Sequence, residues 1–164
     1  SEEAIKTAEA LFTDRADFRE GVMGEVDYEE NSFDVITSMD TMYFAKDMTE
    51  FVAQVKKWLK KEGVFFVGYQ EGDVMPRTES AETTVLAQAL QQNGLPYEVT
   101  DITRQTYELL QKKREAALAH EKEFLEEQQK DWFDLLLFQT DCATENYEEF
   151  AGQMARYLFV ARKE

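Results

Sequence analysis

The sequence predicts an α/β fold, in which strands and helices alternate and a parallel sheet is covered by helices, with one large helical insertion. Three observations lead there. The helix-patterned stretch from Asp47 to Lys61 lies between two compact strand-like segments, Phe33–Thr37 and Val64–Tyr69, which is the order of a βαβ unit. The second of these, Val64-Phe65-Phe66-Val67-Gly68-Tyr69, is an uninterrupted apolar run, as expected of a strand covered on both faces. Finally, about 50 helix-prone residues rich in charge separate the last two strand-like segments, too many for an ordinary connection.

The elements follow in order. Residues 1–13 read as a helix. Ser1 can cap it, Glu2 and Glu3 suit its positive end, and Ile5, Ala8, Leu11 and Phe12 share one face. A short strand is expected around Phe18–Val22, then an acid-rich loop, then the strand Phe33–Thr37 opened by the turn residues Asn31 and Ser32. Asp47, with Glu50 three residues on, begins the next helix as a capping box would. Met48, Phe51, Val52, Val55, Trp58 and Leu59 form its apolar stripe, and Gly63 is expected to supply a left-handed stop. Thr78–Asn93 reads as a helix with Ala81, Val85, Leu86, Ala89 and Leu90 inward, ended by Gly94 and Pro96. Tyr97–Ile102 alternates as a strand. From Arg104 to about Phe138 a thin stripe runs through Tyr107, Leu110, Leu118, Leu125, Trp132 and Leu136, and a helix near Tyr147–Met154 precedes a final strand, Tyr157–Ala161.

Composition bounds the function. At 164 residues and 43% hydrophobic, with 12 Phe, 7 Tyr and 2 Trp, the chain has the length of one domain and the means to bury a core. The single cysteine, Cys142, cannot form an internal disulfide, and no Cys/His cluster is spaced to hold zinc, so no metal is expected. Eighteen basic against 34 acidic side chains give a net charge of −16, which repels phosphate backbones and makes nucleic acid and anionic membranes poor partners. No apolar run approaches the roughly 20 residues that span a bilayer, and the opening residues lack the pattern of a secretory signal. A cytoplasmic location is the expectation.

Most catalytic signatures are missing: there is no Gly-x-Gly-x-x-Gly, no Gly-Lys-Ser/Thr and no Gly-x-Ser-x-Gly. His120, the sole histidine, lies in a charged run and reads as a solvated helix residue; Cys142 reads as a small buried hydrophobe. The acidic loop Glu25–Glu30 is either solvated surface or part of a ligand site, since it precedes a strand at the edge where open α/β sheets collect ligands.

Gly21-Val-Met-Gly-Glu-Val-Asp-Tyr-Glu-Glu-Asn-Ser-Phe-Asp-Val-Ile36 resembles the third-strand loop and fourth strand of class I S-adenosylmethionine-dependent methyltransferases. Ser38-Met39-Asp40-Thr41-Met42-Tyr43-Phe44 is similar to the family's segment at the methionine end of the cofactor. Trp58–Phe65 is similar to its helix stop before strand five, and Tyr157–Arg162 to its last, antiparallel strand. The resemblance implies an incomplete Rossmann-like methyltransferase sheet of parallel strands plus a final antiparallel one. It makes residues 1–164 a single partial methyltransferase domain, with residues 103–155 as a helical cap inserted in it. S-adenosylmethionine is the implied cofactor, with Met23, Gly24, Glu25, Ser38, Met39 and Asp40 as its binding residues. Tyr43, Phe44, Trp132 and Phe133 are implied to line the pocket of a small-molecule acceptor; no catalytic base is identified.

Ser1–Ala8 is similar to the helix that follows the family's second strand, so the glycine-rich turn and the ribose-binding acid would precede this chain. On this reading the chain is a C-terminal fragment, inactive alone, and its open sheet edges favour pairing with a second copy. Val22 stands where the family often has an acid for the adenine amino group, leaving Glu25, a backbone carbonyl or packing by Met23 to replace it. The alternative is a non-catalytic binding module that kept the fold. A nucleotide-dependent oxidoreductase fits less well, because the Asn-Ser-Phe-Asp strand is not among its signatures.

Overall fold

The structure is a computed structural model describing residues 2–12 and 15–164. Its centre is a four-stranded mixed sheet. Strand β1 (Phe33–Met39) lies parallel to β2 (Leu59–Glu71), β2 is antiparallel to β4 (Ala155–Arg162), and β4 is antiparallel to β3 (Tyr97–Asp101), giving the order β1-β2-β4-β3. Helices α2 (Met48–Trp58) and α3 (Val85–Gln92) cover one face. There Val52, Val55, Leu86 and Leu90 pack on Phe65, Val67, Tyr69 and Phe159, all fully buried. The expected βαβ unit and the closing antiparallel strand are both present.

α2 begins as its sequence indicates: the Asp47 carboxylate accepts from the Glu50 backbone N–H at 2.9 Å. It stops sooner than expected. Leu59 is already extended, and the left-handed residue is Glu62 (φ 64°), not Gly63. Phe33 pairs with Leu59 but Val35 with Val64, so Lys60–Gly63 loop out of the ladder. The Glu62 N–H reaches the Lys163 carbonyl (2.7 Å), and a Cβ on Gly63 would come within 2.8 Å of the Lys60 carbonyl. Gly63 is there for close backbone approach, not for helix termination.

Other expectations are corrected similarly. Phe18–Val22 is irregular chain, because no neighbouring strand offers it a ladder; β1 has no partner on its outer side among the described residues. β2 is not equally covered on both faces. Phe65, Val67 and Tyr69 are buried, whereas Val64 and Phe66 are only half-buried, and on the same side of β1 Val35 is 57% exposed. The helix foreseen over Thr78–Asn93 is shorter: a single 3-10 turn (Ala81–Thr83) precedes α3, which Thr84 caps by accepting from the Ala87 N–H, so Ala87 faces inward and Val85 outward. Helix α1 (Glu2–Phe12) forms but buries none of its residues; the Ser1 cap and Thr13 lie outside the described residues.

Between β3 and β4 the chain forms α4 (Thr103–Ala119), α5 (Glu121–Glu126), α6 (Lys130–Thr140) and α7 (Tyr147–Gln153). Their packing is separate from the sheet core, with Tyr107 against Phe150 (ring centroids 5.2 Å apart) and Phe124 against Phe133 (5.8 Å). The expected stripe is wrong in part: Leu118, Leu125 and Trp132 face solvent, while Ala117 and Phe133 are buried. No helix among the described residues is long and apolar enough to cross a membrane.

The acidic loop before β1 is tied down by one of its own acids. Asp27 accepts from the Trp58 indole N–H (2.8 Å) and pairs with Lys57 (3.1 Å). These two hydrogen bonds, that of Trp58 first, hold its carboxyl below the ordinary 3.8. A carboxyl depressed on folding stabilises above its unfolded pKa and loses that contribution as pH falls through its folded one. In a Trp132→Phe background, Trp58 fluorescence should therefore titrate with a midpoint below pH 3.8, and Asp27→Asn should abolish that step. A midpoint at or above the ordinary value would refute the linkage.

Candidate functional site

The carboxyl ends of β1 and β2 point the same way, and β4 starts beside them because it runs antiparallel. Asp40, Gln70, Gly72, Asp73 and Arg156 therefore meet at one end of the sheet, where open α/β sheets bind ligands. Asp40, just past β1, is left-handed (φ 53°); its N–H donates to the Gly68 carbonyl (3.0 Å), and its carboxylate is held by the Arg156 guanidinium. One carboxylate oxygen, Oδ1, and the Arg156 Nε are buried with no hydrogen-bond partner. Buried polar atoms are seldom left so, and an unpaired carboxylate oxygen beside a cavity is a place for a ligand donor.

That cavity has a volume of about 540 Å³. Its floor is the Asp40–Arg156 pair with Gln70 and Asp73; its far wall comes from the helical segment, through Thr106, Leu110 and Lys113 of α4 and Phe138 of α6. A second hollow of about 250 Å³ shares Asp40, Gln70 and Asp73 and adds Tyr43, Phe44 and Val74. Tyr43 accepts a hydrogen bond from the Gln70 N–H, and its ring lies 5.4 Å from that of Tyr69. Burial pushes its hydroxyl up to about 12, so near neutral pH it remains a phenol able to donate. Burial likewise raises the Cys142 thiol at the cavity wall, which keeps it from acting as a thiolate.

The loop between β2 and α3 that borders the cavity is clamped from below. Glu71 is fully buried; its carboxylate accepts from the Thr78 N–H (2.9 Å) and hydroxyl, with Arg77 at 3.6 Å.

Of the residues singled out in the sequence, Met23 and Gly24 line a third cavity of about 250 Å³ walled by Tyr28, Phe51 and Trp58, and the Gly24 carbonyl accepts from Gln54 Nε2 (2.9 Å). Glu25 does not line it; its N–H donates to the Val22 carbonyl. The Ser38 hydroxyl is engaged with that of Thr41 at 2.7 Å, and Met39 leans on Gly68 at the open edge of the sheet. Asp40, Tyr43 and Phe44 come together. Trp132 and Phe133 do not join them: Trp132 is 61% exposed, Phe133 packs on Phe124, and α6 presents Phe138 and Gln139 to the cavity instead. His120 is exposed beside Glu123. Among the described residues no group of three His, Cys, Asp or Glu side chains could hold a metal ion.

A family model described as a methyltransferase domain matches residues 1–67, the stretch from α1 through most of β2. Solved structures agree over far more of the chain. Haemonchus contortus phosphoethanolamine N-methyltransferase 2, in complex with S-adenosyl-L-methionine, superimposes on 86% of it at a TM-score of 0.72 and 19% identity. The chain has the fold of the class I S-adenosylmethionine-dependent methyltransferases. A cyclopropane synthase of Mycobacterium tuberculosis matches 99% of the chain at a TM-score of 0.69 and 16% identity. The geranyl diphosphate C-methyltransferase of Streptomyces coelicolor A3(2) matches 99% at 0.59 and 13%. This methyltransferase-fold chain spans 35%, 67% and 60% of those three proteins' lengths. Among curated proteins none matches it.

Proposed function

We propose that this chain forms the acceptor side, and part of the cofactor side, of a methyltransferase that uses S-adenosylmethionine to methylate a small molecule. The observation that carries this reading is the Asp40–Arg156 pair, with its unpaired Oδ1, set in a roofed cavity at the carboxyl ends of two parallel strands. The solved neighbours that hold phosphomonomethylethanolamine or geranyl diphosphate support a small-molecule acceptor, as does a net charge of −16, which disfavours nucleic acid.

The residues present fit part of the cofactor. The cavity of Met23 and Gly24, walled by Tyr28, Phe51 and Trp58, offers apolar and aromatic surface to a purine. Met39 and Asp40 are read as flanking the methionine end, as the sequence resemblance implies; the Ser38 hydroxyl, already bonded to that of Thr41, keeps capacity for a further hydrogen bond. No residue of this chain supplies the glycine-rich turn for the remaining polar contacts. Residues 1–164 alone are therefore expected to transfer no methyl group.

Bound there, the cofactor would supply an electrophilic methyl group. The chain's own residues orient the acceptor and exclude water, which is most of what an in-line displacement requires. Asp40 Oδ1 accepts from an acceptor N–H or O–H, Tyr43 donates from a hydroxyl that stays protonated, and Leu110 and Phe138 add apolar surface to the cavity wall.

Calorimetric titration of the whole protein with S-adenosylhomocysteine tests this. One-to-one binding is expected; no binding would overturn the enzyme reading in favour of a non-catalytic module that keeps the fold.

A further inference from the structure

Helix α4 touches two cavities in succession along one face. Thr106, Leu110 and Lys113 line the polar cavity above Asp40; Lys113, Ala116, Ala117 and His120 line a second cleft of about 400 Å³. These positions recur every three or four residues, so they form a single stripe about 21 Å long from Thr106 to His120. α6 follows the same division, giving Leu136 to the cleft and Phe138 and Gln139 to the polar cavity. The cleft is apolar within, where Ala116, Ala117, Phe124 and Leu136 meet, and acidic at its far rim, where Glu123 and Glu127 stand.

Lys113 belongs to both walls. Its ammonium is held by the Gln139 side-chain oxygen at 2.9 Å, so the partition between the cavities is an aliphatic stem fixed by one exposed hydrogen bond. Such a stem can lie along apolar matter while its head stays in water, and one exposed hydrogen bond costs little to release.

We propose that the methyl acceptor is an amphiphilic amine whose amino head occupies the Asp40 cavity and whose hydrocarbon tail passes Lys113 into the cleft. The assignment of the head rests on the methyl-transfer reading; that of the tail rests on the cleft alone. An amine is the head that suits the wall. As an ammonium it is drawn by Asp73 and the negative charge of the chain, the Asp40 charge being paired with Arg156. Once it has lost a proton to solvent, its lone pair is nucleophilic toward a methyl donor while a remaining N–H can donate to Asp40 Oδ1.

The test is calorimetry on the whole protein at about 0.15 M salt with propylamine, hexylamine and octylamine, all used well below micelle formation. Affinity should rise roughly fourfold for each methylene that enters the cleft. Ala116→Trp, which fills the cleft from an exposed helical position, should return octylamine to the affinity of propylamine and leave propylamine unchanged. Leu136→Gln, close in volume but polar, should flatten the series in the same direction and serves if the tryptophan variant does not fold. Affinity independent of tail length, or a rise that both folded variants preserve, overturns the proposal. S-adenosylhomocysteine titrated in parallel separates the two readings: its failure alone removes the methyl-transfer function, while a flat amine series with cofactor binding intact removes only the cleft.

Discussion

Gly72→Ala is expected to destabilise the protein by about 4 kcal/mol, combining left-handed strain with overpacking, and to lower Tm by roughly 8–16 °C for a chain of this size. Gly72 follows the last residue of β2 at φ 101°, a conformation that L side chains rarely adopt. A Cβ there would lie 2.1 Å from the Gln153 carbonyl oxygen and 2.9 Å from the Met154 Cα. Both are backbone atoms at the junction of α7 and β4, so no rotamer change can clear them. The junction cannot retreat easily either, because Ala155 and Arg156 begin the ladder with Glu71 and Gln70. On the other side the Gly72 N–H is bonded to the Met75 carbonyl (2.8 Å), in a loop that Glu71 anchors through Thr78. Gly152→Ala provides the contrast. That glycine lies within α7 with nothing within 4 Å of an added Cβ, and alanine there should be neutral or stabilising by up to about 1 kcal/mol. Thermal denaturation of the two variants side by side checks the argument. A Gly72→Ala protein that melts within about 2 °C of the parent would show that the α7–β4 junction is not held as described.

What could be read from the sequence follows the range of the interaction. The β1-α2-β2 unit was legible because its signals are local: an Asp47 cap, a stripe of period 3.6 and an apolar run. Gly63 was misjudged because the looped-out turn, whose left-handed residue is Glu62, answers to Lys163, about a hundred positions away. Trp132 was misjudged because a weakly amphipathic helix fits more than one stripe, and the choice is made by Phe124 of α5, on which Phe133 packs instead. In the candidate site, Asp40, Tyr43 and Phe44 are neighbours in sequence and were found together. Arg156, Gln70 and Asp73 were missed. Nothing beside Arg156 in the chain marks it; only the antiparallel register of β4, which sets Arg156 opposite Gln70, brings it to Asp40. The Cys142 and Lys113 walls of the cavity likewise depend on how the helical segment folds back, which periodicity does not specify.

On the proposed methyl-transfer reading, Asp40→Asn is expected to lower the kcat/KM of the whole protein about 100-fold, the scale of a misplaced reactant, with little change in stability. The variant is chosen for its backbone. Asp40 is left-handed, a conformation that asparagine tolerates and alanine does not, so the loop after β1 should keep its path. The stability effect should be small because the ion pair with Arg156 is partly exposed, and such pairs contribute about 1 kcal/mol or less. Function is another matter. An amide in place of the carboxylate leaves the Arg156 guanidinium without its anion at the cavity floor, and weakens the acceptor that Oδ1 offers to a ligand N–H. If Asp40 only neutralised Arg156, then Arg156→Met, which removes the cation and keeps the stem, should restore much of the Asp40→Asn loss in the double variant. If Oδ1 binds the methyl acceptor directly, the double variant stays as slow as the single one, and KM for the acceptor rises in both. Full activity in a folded Asp40→Asn protein would put the reacting centre elsewhere than the carboxyl ends of β1 and β2.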